Sequence, residues 1–275
     1  MKIARVFPRK TEATPEDELA FFADPPDGLD IDEVHISVTF SYDKEKAEKM
    51  FLAWSKKYPT KIGGVAYGDI GGEFAPGRYI KPGYTITSRG CPNSCWFCDV
   101  WKREGKIREL EIHPGNNVLD SNLLACSKTH ILKVFSMLKN QNHVQFTGGF
   151  EAKRFECWHL NELRKLKINQ IFFAYDTPDD LEPLQEAGKK LYRYNFTRFH
   201  CRCYVLIGYK KDTFEEAQNR LIQTWNAGFM PMAMLWKGKD GLEDSKWRKF
   251  QRTWCRPAAT KAEMLKILSL RELSD

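Results

Sequence analysis

The chain has 275 residues, 42% hydrophobic and 29% charged, with a formal net charge of +7 from 43 Lys and Arg against 36 Asp and Glu. That length can bury a core in one domain or one and a half, the composition is globular, and no apolar run approaches the roughly 20 residues of a membrane helix. The positive balance permits contact with phosphates or nucleic acid without requiring it.

The amino terminus, Met-Lys-Ile-Ala-Arg-Val-Phe-Pro-Arg-Lys, lacks the apolar stretch of a secretion signal. The expected location is cytoplasmic, with no membrane partner. The eight cysteines are then expected as thiols or metal ligands, not disulfides.

Residues 1–33 are rich in Pro and Asp and read as irregular. Val34–Phe40 is β-branched and aromatic, hence a strand. Over 43–58, Ala47, Met50, Phe51 and Trp54 recur at helical spacing, with lysines and glutamates on the other face. Lys61–Tyr67 reads as a second strand. Strand, helix and strand predict a small α/β unit over residues 1–80, closed by the Gly- and Pro-rich loop 68–82.

Tyr84–Gly90 reads as a strand ending in a turn, and residues 101–112 as an irregular or extended excursion. A helix follows over about 129–139, then a strand at Val144–Thr147 that closes on Gly148 and Gly149. Helix 159–166, strand 170–175 and helix 178–191 come next, the last capped by Thr177 with Pro178 in its first turn. Arg202–Ile207 reads as a strand buried on both faces. Thr213–Glu216 is a capping box. Phe229–Leu235 is the last strand, and Thr260–Glu263 reads as the cap of a terminal helix. This alternation predicts a parallel α/β sheet over about 84–235, with ligands at the C-terminal ends of its strands.

The densest chemistry is Cys91-Pro-Asn-Ser-Cys95-Trp-Phe-Cys98. Three thiols in eight residues suit a metal or cluster with one open position. A closed structural zinc site would need a fourth ligand, and the sequence has no second Cys-x-x-Cys pair to supply one. A cubane held by three cysteines leaves one iron open.

Cys91-x3-Cys95-x2-Cys98, with Phe97 before the last cysteine, resembles the signature of the radical S-adenosylmethionine (SAM) superfamily. The lead-in Thr87-Ser-Arg-Gly-Cys-Pro resembles its methylthiotransferase-like and cobalamin-associated branches. Gly148-Gly149-Phe150-Glu151 resembles the family's Gly-Gly-Glu segment, displaced by one residue. Phe172–Asp176 and Val205–Gly208 resemble the strands that meet the ribose and adenine of SAM. The resemblance covers about 84–235. It implies a partial (β/α) barrel over 81–236, with one βα unit shortened because only one clear strand lies between Gly148 and Gly208. It implies a 4Fe-4S cluster on Cys91, Cys95 and Cys98, and SAM held by Phe97, Gly148, Gly149, Glu151, Asp176 and Gly208. A one-electron donor such as flavodoxin or ferredoxin is the implied partner. Catalytic residues that act on the substrate are unknown.

Ile62-Gly-Gly-Val-Ala resembles part of a trimmed cobalamin domain. The cobalt-ligating Asp-x-His-x-x-Gly pattern is absent, so no cobalamin is expected. Cys126, Cys157, Cys201, Cys203 and Cys255 read as structural thiols. The extension 237–275 combines Lys237, Lys239, Lys246, Arg248, Lys249, Arg252 and Arg256 with Trp247, Phe250 and Trp254 at helical spacing. That face reads first as a docking helix. Its aromatics and cations also make nucleic acid or a nucleotide the first substrate expectation. A small metabolite or peptide is the alternative substrate, and a non-catalytic zinc or iron–sulfur module the alternative class.

Overall fold

The structure is a computed structural model that describes residues 1–209, 211–237 and 244–272, with side chains through Ser269. Lys239, one of the basic residues of the extension, lies outside the described residues. The chain divides into two compact units, the first Met1–Gly115 and the second from Asn116 onward. Both are α/β with parallel sheets.

The first unit carries β1 (Ile3–Val6), β2 (Ala20–Phe21), β3 (Glu33–Ser37), α1 (Lys44–Trp54) and β4 (Thr60–Gly63). Their sheet runs β2-β1-β3-β4, all parallel. The expected strand–helix–strand is there, but the irregular reading of residues 1–33 is corrected. Ala4 and Val6 are fully buried on β1, inside the sheet. The Pro- and Asp-rich composition beyond residue 7 masked a four-residue strand. Ala47, Met50 and Trp54 of α1 pack onto Ala4, Val6, Val34, Ile36 and Val38. Trp54 Nε1 donates to the Ala23 carbonyl at 3.0 Å, so the indole is satisfied as well as buried. Further on lie β5 (Tyr84–Thr85), β6 (Ser88–Arg89), α2 (Val100–Glu104) and β7 (Arg108–Glu109), with β6 and β7 antiparallel.

The second unit alternates strand and helix: β8 (Asn117–Val118), α3 (Lys128–Leu138), β9 (Val144–Phe150), α4 (Cys157–Leu163), β10 (Ile168–Tyr175), α5 (Leu181–Tyr192), β11 (Cys201–Ile207), α6 (Phe214–Asn226) and β12 (Met230–Leu235). Within this unit the sheet runs β12-β11-β10-β9-β8, every pairing parallel. Only β10 falls between β9 and β11, as read from the sequence. The strand the sequence reading lacked is β8, two residues long and too short for a periodicity signal. On β11 buried and half-buried residues alternate. It is therefore not buried equally on both faces. Cys201 and Cys203 share its buried face, where desolvation pushes the Cys201 thiol up to about 12 and raises the Cys203 thiol well above its ordinary value.

Two helices end the described chain, α7 (Ser245–Trp254) and α8 (Pro257–Glu272). Asp244 caps α7 through the Lys246 amide. Thr260 is not a helix cap. It is buried inside α8, and its hydroxyl donates to the Thr253 carbonyl. Trp247 and Phe250 pack on Phe214 of α6, with ring centroids 4.3 and 5.5 Å away. Trp254 is buried, and Gln251 donates to the Ala233 carbonyl on β12. The aromatic stripe is therefore a docking face. No helix among the described residues is long and apolar enough to cross a membrane.

Candidate functional site

The three-thiol loop belongs to the first unit and is held at both ends. Gly90 has φ +91°, and a Cβ there would stand 2.2 Å from the Lys106 carbonyl oxygen. Only glycine allows that approach. The Gly90 amide donates to Glu104 Oε2 at 2.8 Å, and the Cys91 amide to the Gly105 carbonyl at 3.1 Å. Glu104 is itself buried and accepts from Arg103 Nη2 at 2.7 Å. The loop therefore leaves and rejoins the chain at one anchor, a buried carboxylate at the end of α2. Within the loop the Cys98 amide donates to the Cys95 carbonyl at 3.2 Å, and Trp101 Nε1 donates to the same oxygen at 3.0 Å.

Cys91, Cys95 and Cys98 are all half-buried, and all eight cysteines lie outside any disulfide. Burial is the main cause that raises the Cys98 thiol above its ordinary value, and the nearby Cys91 adds to it. Phe97 is half-buried and meets the exposed Trp96 edge to face at 4.8 Å. Three partly accessible thiols on a clamped eight-residue loop are a donor set that fits a cluster bound through three thiolates. Glu104 was not found from the sequence. Its partner Gly90 is fourteen residues away, and no periodic pattern marks such a pair.

In the second unit Gly148, Gly149, Glu151, Asp176 and Gly208 all stand at the C-terminal ends of adjacent parallel strands, β9, β10 and β11. Gly148 and Gly149 lie inside the last turns of strand rather than beyond it. The β9–β10 register pairs Phe146 with Ile171 and then Phe150 with Phe173, so β9 carries two extra residues there. This is a bulge. A Cβ on Gly148 would stand 2.2 Å from the Asp120 carbonyl oxygen, so the loop after β8 passes directly against it.

Glu151 is already engaged. Its Oε2 accepts from Asn122 Nδ2 at 2.8 Å and from Arg154 Nε at 2.7 Å. Asp176 Oδ1 accepts from the Leu206 amide of β11 at 3.1 Å. Burial, and then the neighbouring Asp180, push the Asp176 carboxyl up to about 7. Asp180 is kept below the usual range by the Thr177 and Asp176 amides and by Lys153, against the cost of its own burial. The two carboxyls, four residues apart, are thus pushed in opposite directions. Gly208 donates its amide to Asp212 at 2.7 Å, and Arg220 bridges Asp212 and the Leu206 carbonyl. Phe172 and Tyr204 stack at 4.6 Å, and the Tyr204 hydroxyl donates to the Thr147 carbonyl at the bulge. Asn122 and Tyr204 are contacts the sequence reading did not single out.

His35 of the first unit has both ring nitrogens engaged, with Tyr79 at 2.5 Å and Glu33 at 3.0 Å. Compared with known proteins, the chain matches no family model and no curated protein.

Proposed function

We propose that the chain is a radical SAM enzyme whose parallel sheet forms a partial (β/α) barrel. The observation that carries this reading is the clamped loop with thiols at 91, 95 and 98, whose sequence spacing resembles the radical SAM signature. The 4Fe-4S cluster, when bound, supplies one-electron cleavage of an S–C bond of SAM, leaving methionine and a 5′-deoxyadenosyl radical that takes hydrogen from a substrate.

The residues have separable tasks. Cys91, Cys95 and Cys98 are the thiolate donors. The bulge at Gly148 and Gly149 exposes main chain that the methionine end of SAM can approach. Glu151, oriented by Asn122 and Arg154, presents a carboxylate to an ammonium group. Asp176 offers ribose hydroxyls a carboxyl that can both accept and donate near neutral pH. In the second unit the Gly208 turn would take the adenine, and in the first unit Phe97, beside Cys98, is the aromatic the resemblance assigns to the same group. A flavodoxin- or ferredoxin-type protein supplies the electron in the cytoplasm. Nucleic acid remains the first substrate class, now argued from the exposed cations of α7 alone.

The test is anaerobic reconstitution with iron and sulfide, followed by SAM and dithionite. The expected outcome is a brown protein that forms 5′-deoxyadenosine, with Cys95→Ala abolishing the product. A colourless protein that binds one zinc and forms none would overturn the proposal in favour of a non-catalytic module.

A further inference from the structure

Asp120, Cys126 and His130 bring a carboxylate oxygen, a thiol sulfur and an imidazole nitrogen within 4.8 Å of one another. All three residues are buried, at 1%, 9% and 6% exposure. They belong to the second unit and are no part of the three-thiol loop.

The backbone sets each donor by packing. Asp120 follows β8, where its carbonyl lies against Gly148. Leu123 and Leu124 are buried in the 3-10 turn Leu123–Ala125 and pin the intervening loop. Ser127 caps α3 by accepting from the His130 amide. That fixes His130 in the first turn of the helix, four residues after Cys126, on the face that also buries Ile131 and Val134. Asp-x5-Cys-x3-His is thus folded into one small space within eleven residues of chain.

The chemistry of the set is selective. A thiolate and a carboxylate carry two negative charges, which balance a divalent cation. Oxygen, sulfur and neutral imidazole nitrogen together suit the borderline-soft zinc class rather than magnesium or calcium. A tetrahedral ion with ordinary zinc–ligand bonds would hold its ligands roughly 3.3–3.6 Å apart. A side-chain adjustment of about an ångström from the 4.8 Å envelope closes the set.

We propose that Asp120, Cys126 and His130 form a mononuclear site for a zinc-class divalent ion, separate from the proposed cluster and independent of it. Three protein donors leave a fourth position to be filled by water or by a substrate atom. Binding releases the Cys126 thiol proton, so affinity rises with pH.

The test uses the full-length chain with Cys91, Cys95 and Cys98 all replaced by Ala, titrated anaerobically with Co²⁺ as the probe. The expected result is one Co²⁺ per chain, with visible d–d bands and a near-ultraviolet thiolate-to-cobalt band, both removed by Zn²⁺. Cys126→Ser abolishes the thiolate band. Asp120→Asn and His130→Ala each weaken binding by more than about tenfold, the least that losing even a partner of a ligand costs. No bound Co²⁺, or a spectrum and affinity indifferent to these substitutions, would mean a hydrogen-bonded cluster without an ion. A second measurement needs no variant. In the wild-type chain under mild denaturant, Zn²⁺ slows iodoacetamide labelling of Cys126 at least about tenfold more than it slows labelling of the buried Cys201 and Cys203. Equal labelling of Cys126 with and without Zn²⁺, or equal slowing at all three cysteines, would overturn the assignment.

Discussion

At the scale of single residues, the strongest electrostatic feature is Asp176. Burial raises its carboxyl to about 7, against an ordinary value of about 3.9. The folded state therefore holds a proton that the unfolded state has released over the range between these values. Stability falls as pH climbs from about 4 to about 7 and is level above that. Asp176→Asn removes the titration while its side-chain oxygen can still accept from the Leu206 amide. The variant is expected to be more stable than wild type at pH 8, by at most about 4 kcal/mol, and by no more than about 1 kcal/mol at pH 4.5. Urea melts at the two pH values check this, and an equal effect at both would sink the argument. If Asp176 holds the ribose as proposed, the same substitution lowers 5′-deoxyadenosine yield, and an unchanged yield would remove that role.

At the scale of elements, the sheet edge of the second unit depends on close approach. Gly148→Ala drives a methyl to 2.2 Å from the Asp120 carbonyl, and the obstacle is backbone. Either β9 or the loop after β8 must move, which costs about 1–3 kcal/mol. Chemical denaturation should show that loss, whereas Gly105→Ala, with no atom within 4 Å, pays only for its φ of +72°. Equal stability of Gly148→Ala and wild type would mean that the loop does not pass there. The elements also divide by how far the sequence disclosed them. α1 and α6 were legible because their apolar stripes repeat over several turns, α5 because Thr177 and Pro178 mark its start, and β10 and β11 because long apolar runs stand between clear turns. The Thr213–Glu216 box reads the same in sequence and structure, down to its two reciprocal bonds. β1 and β8 were not legible. A strand of four residues or two holds too few alternations to rise above its loops, and only pairing with β3 or β9 defines it. The Thr260 box failed for a different reason: the pattern is present, but Pro257 had already started the helix. In the site, the cysteines and glycines were legible as spacing. Glu104, Asn122 and the Asp120–Cys126–His130 set were not, because each draws its meaning from contacts that the fold makes rather than from a repeat.

At the scale of the whole molecule, charge decides how a nucleic-acid partner would be held. The net charge of +7 is modest for 275 residues, so a uniform field is a weak attractor. The local concentration on α7 matters more. Lys246, Lys249 and Arg252 are exposed there, while Trp247 and Phe250 are packed on Phe214 and Trp254 is buried. A helix with its aromatics turned inward offers a strand phosphate contacts and no stacking platform. Binding of single-stranded RNA or DNA through this helix should therefore be insensitive to base identity and steeply weakened by salt, with a slope of about −0.7 in log K against log salt for each phosphate neutralised. Replacing Lys246, Lys249 and Arg252 together by Gln removes three cations and should flatten that slope by about two. Fluorescence anisotropy with a labelled oligonucleotide from 50 to 200 mM salt reads both quantities. The substitutions lie on an exposed face, so melting temperature should hold and separate lost contacts from lost fold. A slope unchanged by the triple substitution would remove α7 as the contact. No binding by wild type at low salt would turn the substrate proposal toward a small metabolite or peptide while leaving the cluster chemistry to be judged by deoxyadenosine alone.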